Sequence, residues 1–171
     1  MIGVKADRQL TGQLGEFLVA AELVRLGFTA SVLSGNAKDL DILAYRSPEK
    51  RAVQVKSVST GGFQLSLNKF LQIEFEGEAG AERQNIVGRR EDLDESIDLV
   101  IVFLGGKLGD DRFYCSKLGA FADFAHQAHA KYIDRTDGRR PGTNKKSFHA
   151  AHSERDLRES GLFTTIQDHF T

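Results

Sequence analysis

Asp39-Leu40-Asp41-Ile42-Leu43-Ala44-Tyr45, a link through Ser47-Pro48-Glu49-Lys50, and then Arg51-Ala52-Val53-Gln54-Val55-Lys56-Ser57 decide how this chain is read. Both runs are apolar enough to be buried strands. The short link favours an antiparallel hairpin, because a parallel crossover needs about a dozen residues or more. Each run nonetheless carries polar members, and burying those without partners is costly. Side chains alternate between the faces of a strand, so Val53 and Val55 share one face and Gln54 and Lys56 the other. Asp41 stands at the start of the neighbouring strand. Paired strands lie about 4.7–4.9 Å apart, so side chains from the two can converge on one ion. Magnesium takes oxygen ligands at about 2.0–2.1 Å and keeps several waters, so one carboxylate and one amide oxygen suffice as protein ligands. A lysine alongside can hold the attacking water or stabilise a phosphate under attack. A divalent-cation site acting on phosphate gives these polar residues a reason to be there.

Outward from the hairpin, a helix is expected from about residue 13 to 26. Leu14, Phe17, Leu18, Ala21 and Val24 form its apolar stripe, and Gly27 stands where a C-terminal cap belongs. Residues 28–33 read as a strand and Ser34-Gly35-Asn36 as a turn. Residues 63–67 alternate like an edge strand. From Glu76 to Glu95 there is no sustained period, which predicts a long acidic connection. Residues 97–104 are almost continuously apolar, the mark of a buried central strand. Arg112-Phe-Tyr-Cys115 follows as a strand, then a helix over about 118–132 and a basic Gly/Pro loop, Gly138-Arg-Arg-Pro-Gly142. Ser153-Glu-Arg-Asp156 opens a last short helix with a capping box. The order of elements predicts a mixed sheet with helices packed on it.

The length of 171 residues fits one domain over 1–171, with a core at about 8–133 and the basic loop and C-terminal helix at about 134–171. No apolar run reaches the roughly 20 residues that span a bilayer, so no membrane partner is expected. The N-terminus lacks the apolar core of a signal peptide. Cys115 is the single cysteine, which excludes an internal disulfide and fits a cytoplasmic protein. Net charge is −1, so any affinity for nucleic acid must come from local patches. Glu74 to Asp98 is strongly acidic. Lys131, Arg135, Arg139, Arg140, Lys145 and Lys146 make the opposite patch, suited to phosphates.

The hairpin resembles the PD-(D/E)XK nuclease superfamily of restriction enzymes, junction resolvases and some homing endonucleases. The likeness is to the variant with glutamine in place of the second acid, here Gln54-Val55-Lys56. Asp41 falls on the motif aspartate, although no proline precedes it, and Asp39 on the same strand is a substitute for it. Glu16, in Thr11-Gly-Gln-Leu-Gly15-Glu16-Phe-Leu-Val-Ala-Ala, matches the glutamate that the family tends to carry on its first helix. Coverage is good from about residue 8 to 60 and loose beyond it.

This resemblance implies an α/β fold, a restriction-endonuclease-like mixed β-sheet flanked by helices with an αβββαβ-type core. It also implies a Mg2+-dependent endonuclease acting on DNA, with Mn2+ as a substitute ion. Asp41 and Gln54 would bind the metal, Glu16 would support it directly or through water, and Lys56 would orient or activate the water. Lys131 to Lys146 would contact the DNA backbone, and cutting both strands would favour a homodimer. The alternative is a catalytically inactive nucleic-acid-binding or regulatory protein on the same fold. A third reading is a protein-interaction module whose segment Glu74–Asp98 binds a basic partner. His126, His129, His149 and His152 are expected at the surface, because a zinc site needs further ligands. Cys115 is expected in the core. Ser57, Ser59 and Thr60 either donate to phosphates or end the strand.

Overall fold

In the computed structural model, residues 7–33, 40–59, 61–78, 81–107, 109–139 and 148–171 are described. The first element, α1 (Arg8–Arg25), is capped by Asp7, whose side chain accepts from the Gln9 N–H at 2.9 Å. It ends at Leu26 and Gly27, and Gly27 adopts φ 86°, which glycine reaches without penalty. Then come β1 (Thr29–Val32), β2 (Ile42–Arg46) and β3 (Glu49–Val58). After β4 (Gly62–Ser66) and a 3-10 turn, Leu67–Lys69, the chain forms β5 (Leu71–Glu76) and β6 (Arg83–Arg89). It continues with β7 (Asp98–Phe103), β8 (Arg112–Lys117), α2 (Leu118–Thr136), β9 (His149–Ser153), α3 (Glu154–Ser160) and α4 (Ile166–Phe170).

A five-stranded mixed sheet runs in the order β1-β2-β3-β7-β8 and is flanked by helices, as the α/β expectation has it. Neighbours are antiparallel except β3 and β7, which run parallel. The short link joins β2 to β3 as an antiparallel hairpin, with Ile42 opposite Val53. Every residue of β7 is buried, in keeping with a strand covered on both faces. One face of the sheet packs Ile42, Ala44, Val53, Val100 and Val102 against Val19 and Leu23 of α1 and Ile166 and Phe170 of α4. The other packs Val58, Leu99, Ile101 and Phe103 against Phe121, Ala122 and Ala125 of α2.

Four expectations need correction. The buried stripe of α1 is Gly15, Val19 and Leu23, whereas Leu10, Leu14, Phe17 and Val24 are 49–62% exposed. Two apolar stripes occupy this helix, and Gly15 decides between them. A Cβ at Gly15 would lie 1.9 Å from Ser57 Oγ, so only a glycine face lets α1 approach β3 this closely. The acidic connection expected over Glu76–Glu95 in fact contains β6, which pairs with β5 in a hairpin with a register shift at Gln72/Ile73. Its outward charges, Glu74 and Glu76, hide the period-two pattern of Leu71, Ile73 and Phe75.

Residues 149–153, left without structure by the sequence, form β9 and pair with β4 in a separate two-stranded sheet. Two of the histidines expected at the surface are buried. His129 is hydrogen-bonded to Gln84 at 2.9 Å, and His152 packs against the rings of Phe63 and Phe124. Cys115 is in the core, and burial raises its thiol pKa far above the usual range, so it is inert. The Ser153–Asp156 capping box is present. The turn at Ser34–Asn36, Asp39 and Thr60 lie outside the described residues.

At the far end of the sheet, Asp98 is buried among cations. Its carboxylate lies 2.6 Å from Lys117 Nζ, 2.7 Å from His169 Nε2 and 3.0 Å from Arg51 Nε. Burial alone would raise its pKa, but the bonds to His169 and Lys117 and the charge of Arg51 prevail and hold it down. Arg51 and Arg46 also donate to the carbonyls of His169 and Phe170 and cover the Phe170 and Phe28 rings. These contacts fasten α4 under the β2–β3 hairpin.

Candidate active site

The backbone ladder between β2 and β3 ends at Ile42. Asp41 N–H still donates to the Val53 carbonyl at 3.0 Å, but the next acceptor is a side chain: Asp41 Oδ2 takes the Val55 N–H at 2.7 Å. The carboxylate thus replaces a carbonyl where the two strands part. This fixes Asp41 in a single orientation beside β3 and widens the space next to Gln54 and Lys56. The other edge of β3 is paired with β7 there, with Gln54 beside Leu99 and Lys56 beside Ile101. Neither residue is on an edge strand.

Asp41, Gln54 and Lys56 line one cleft of about 460 Å3. Its floor is apolar, made of Leu65, Phe70, Leu99 and Phe121, and Gln64, Ser66, Lys69 and His149 close its sides. Glu16 reaches toward the same place from α1, close enough for Asp41 to influence its charge. Asp41, Gln54 and Lys56 of the expected site thus share the lining of the cleft, while Glu16 is linked to it through the charge of Asp41.

The electrostatics follow from this packing. Partial burial, and after it the negative charge of Asp41, hold the Glu16 carboxyl above its ordinary pKa. Burial over the apolar floor, and after it the positive charge of Lys69, pull the Lys56 ammonium below its usual pKa. A carboxyl raised in part by its neighbour Asp41 thus stands near a lysine that gives up its proton more readily. A divalent cation is the kind of partner that such a carboxylate pair fits, with the Gln54 amide as a neutral oxygen donor. Among the described residues there is no group of three His, Cys, Asp or Glu placed to hold a metal.

Other expectations fall away from the cleft or beyond it. Ser57 faces α1, where its hydroxyl donates to the Gly12 carbonyl at 3.3 Å, so it is not available to a phosphate. Lys131 and Arg135 stand on the last turns of α2 and line the cavity next to the cleft. Arg139 is exposed, with its Nε 3.9 Å from Asp137. Arg140, Lys145 and Lys146 lie outside the described residues. Lys69 and Gln64 escaped the sequence reading, and His149, expected there at the surface, lines the cleft. Lys69 sits in a 3-10 turn and His149 on β9, and no local pattern ties either to a strand far away in sequence.

Among the described residues, no helix is long and apolar enough to cross a membrane. No family profile matches this sequence, and no curated protein matches it either. Among solved structures, a bacterial homing endonuclease, I-Ssp6803I, is similar at a TM-score of 0.39, with 13% identity over 67% of this chain and 72% of that one.

Proposed function

We propose that this protein is a Mg2+-dependent endonuclease of the PD-(D/E)XK type that hydrolyses DNA phosphodiester bonds. The observation that carries this reading is the convergence of Asp41, Gln54 and Lys56 in one cleft, with Glu16 electrostatically coupled to Asp41. Asp41 and Gln54 would hold the ion, and Glu16 would complete the set directly or through a water. When bound, the ion supplies Lewis-acid stabilisation of the phosphoryl oxygens and a more acidic water. The chain's own residues do the rest. The Val55 N–H keeps the Asp41 carboxylate oriented, so little reorganisation is needed on binding. Lys56, lowered toward its neutral form, can hold the attacking water and share its proton. The apolar floor excludes bulk water and strengthens both effects.

DNA would enter over Lys69, Lys131 and Arg135, with Arg139 and the basic residues that follow extending the contact. One cleft per chain cuts one strand, so double-strand cleavage would call for a homodimer. The exposed α1 residues Leu10, Leu14, Phe17 and Val24, spaced four, three and seven apart, offer an apolar seam for it. The test is cleavage of supercoiled plasmid in Mg2+ or Mn2+ by the native chain, Lys56→Ala and Asp41→Ala. Loss of cutting in both variants supports the assignment, and undiminished cutting in either rejects it. Mg2+ should also raise the melting temperature of the native chain and not that of Asp41→Ala.

One observation favours a second reading. Gln54 is neutral, which leaves the site two carboxylates. A nucleic-acid-binding or regulatory protein without cleavage would show salt-sensitive DNA affinity and no product in either metal.

A further inference from the structure

The cleft does not end at its wall. Gln64 and His149 line both it and a neighbouring cavity of about 790 Å3 between α2, β9 and α3. That volume is in the range of a small-molecule site. The chemistry of the cavity is divided. Lys131 and Arg135 stand exposed at its rim on α2, and the half-buried Tyr132 supplies aromatic surface beside them, with Phe124 buried in the wall against Phe121, His152 and Phe163. The Tyr132 ring is stacked on His129, with centroids 5.6 Å apart and planes 10° from parallel, which holds it flat. Asp156 and Glu159 lie on the α3 wall.

Within the cavity wall, His152 is 8% exposed, and its Nε2 is buried with no hydrogen-bond partner among the described residues. Phe63 and Phe124 flank its ring at 5.8 and 5.1 Å. Burial lowers its pKa, so the imidazole is neutral at neutral pH. A buried polar atom left unmatched is costly, and one in a cavity wall is satisfied when a ligand brings the complementary group.

We propose that this cavity is a nucleoside subsite that receives one unpaired base of the strand being cut. The proposal rests on the nuclease reading of the adjoining cleft, and it adds a preference for unpaired over fully paired DNA. Cations at the rim suit the phosphates on either side of that base. The Tyr132 ring suits its face, since base-on-aromatic stacking tolerates any sequence. The neutral His152 meets a ring nitrogen or carbonyl, and Asp156 and Glu159 accept from exocyclic amines. A simple anion would leave the aromatic surface unused and meet two carboxylates. A base still in the duplex cannot enter, because its faces are covered by its neighbours and only its groove edges show.

The test uses the full chain in Ca2+ and follows binding of a 2-aminopurine oligonucleotide, single-stranded or in a blunt duplex of the same length. The single strand should bind at least tenfold tighter, with its fluorescence quenched as the base stacks. His152→Leu, which keeps the volume, and Tyr132→Leu, which removes the half-buried ring, should each erase most of that preference. Hydrolysis of bis(p-nitrophenyl) phosphate in Mn2+ needs only the metal cleft and should be unchanged in both. Equal binding of the two DNA forms, or a preference that both variants retain, overturns the subsite. If hydrolysis occurs and Lys56→Ala abolishes it, the nuclease reading survives that loss. If no hydrolysis occurs while the cavity-dependent preference persists, the subsite stands and the nuclease reading falls. Should His152→Leu fail to fold, Tyr132→Leu alone decides: a preference it retains overturns the subsite, and one it erases supports it.

Discussion

The two faces of β3 are built from alternate residues of one ten-residue strand, yet they obey opposite rules. On the α1 face, Val53 is fully buried, Val55 packs under the helix, and Ser57 bonds back to Gly12. Gly15 brings the helix so close that no Cβ fits. On the other face, Gln54 and Lys56 stand over an apolar floor without being sealed by it. One side is closed packing in which polar groups are satisfied internally. The other side keeps polar groups half buried and shifts their protonation. A site needs both: the closed face holds the strand rigid, and the open face leaves the chemistry unfinished until a ligand arrives.

Substitutions on the two faces should therefore separate stability from activity. The largest effect on stability belongs to Ile42→Ala, opposite Val53 on the closed face. It should cost about 2–5 kcal/mol by denaturant unfolding, because the cavity it leaves cannot fully collapse. Lys56→Ala on the open face should lower cleavage by roughly a hundredfold, about 2.7 kcal/mol at the transition state, with no loss of folding stability. Were it to unfold the protein instead, the division between the faces would be wrong. Gly15→Ala should cost about 1–3 kcal/mol through overpacking against Ser57, and Ser57→Ala introduced with it should recover part of that.

Smaller effects sharpen the comparison through pH. The folded-state pKa of Glu16 is raised, so its ionisation opposes folding as pH rises. Glu16→Gln should raise the melting temperature of the metal-free protein at neutral pH and give no gain below about pH 4.5, the unperturbed value. Lys56 is lowered, so its charge opposes folding below its folded pKa. Lys56→Met should stabilise the metal-free protein at neutral pH, and the gain should vanish above about pH 10.5. The smallest effect is expected on the outward stripe of α1. Phe17→Ser should change monomer stability by no more than about 0.5 kcal/mol, whereas the same change on a buried stripe would be severe.

The hairpin was legible in the sequence because its signals are local. A two-residue alternation, a short link and a polar residue at each strand's open face fix register and facing without reference to the rest of the chain. The continuous apolar run of β7 and the Ser153–Asp156 capping box were legible for the same reason. The stripe of α1 was misjudged because a helix with two apolar stripes leaves the choice to whatever packs against it. Here the choice fell on the stripe with Gly15, which presents the least bulk to β3. The β5–β6 hairpin and β9 were missed because their outward residues carry charge or small side chains, and their pairing partners stabilise them from a distance.

By itself, the sequence determined that Gln54 and Lys56 share a face, that Asp41 begins the adjoining strand, and that the core would be a mixed sheet with helices. Those follow from backbone periodicity, which is the same in any context. Tertiary structure decided that Glu16 lies within reach of the charge of Asp41 and that Lys69 stands beside Lys56. It also decided that the cleft opens into the cavity holding His152. These depend on the distance between elements far apart in sequence, and that distance is set by packing rather than by any residue's own preference.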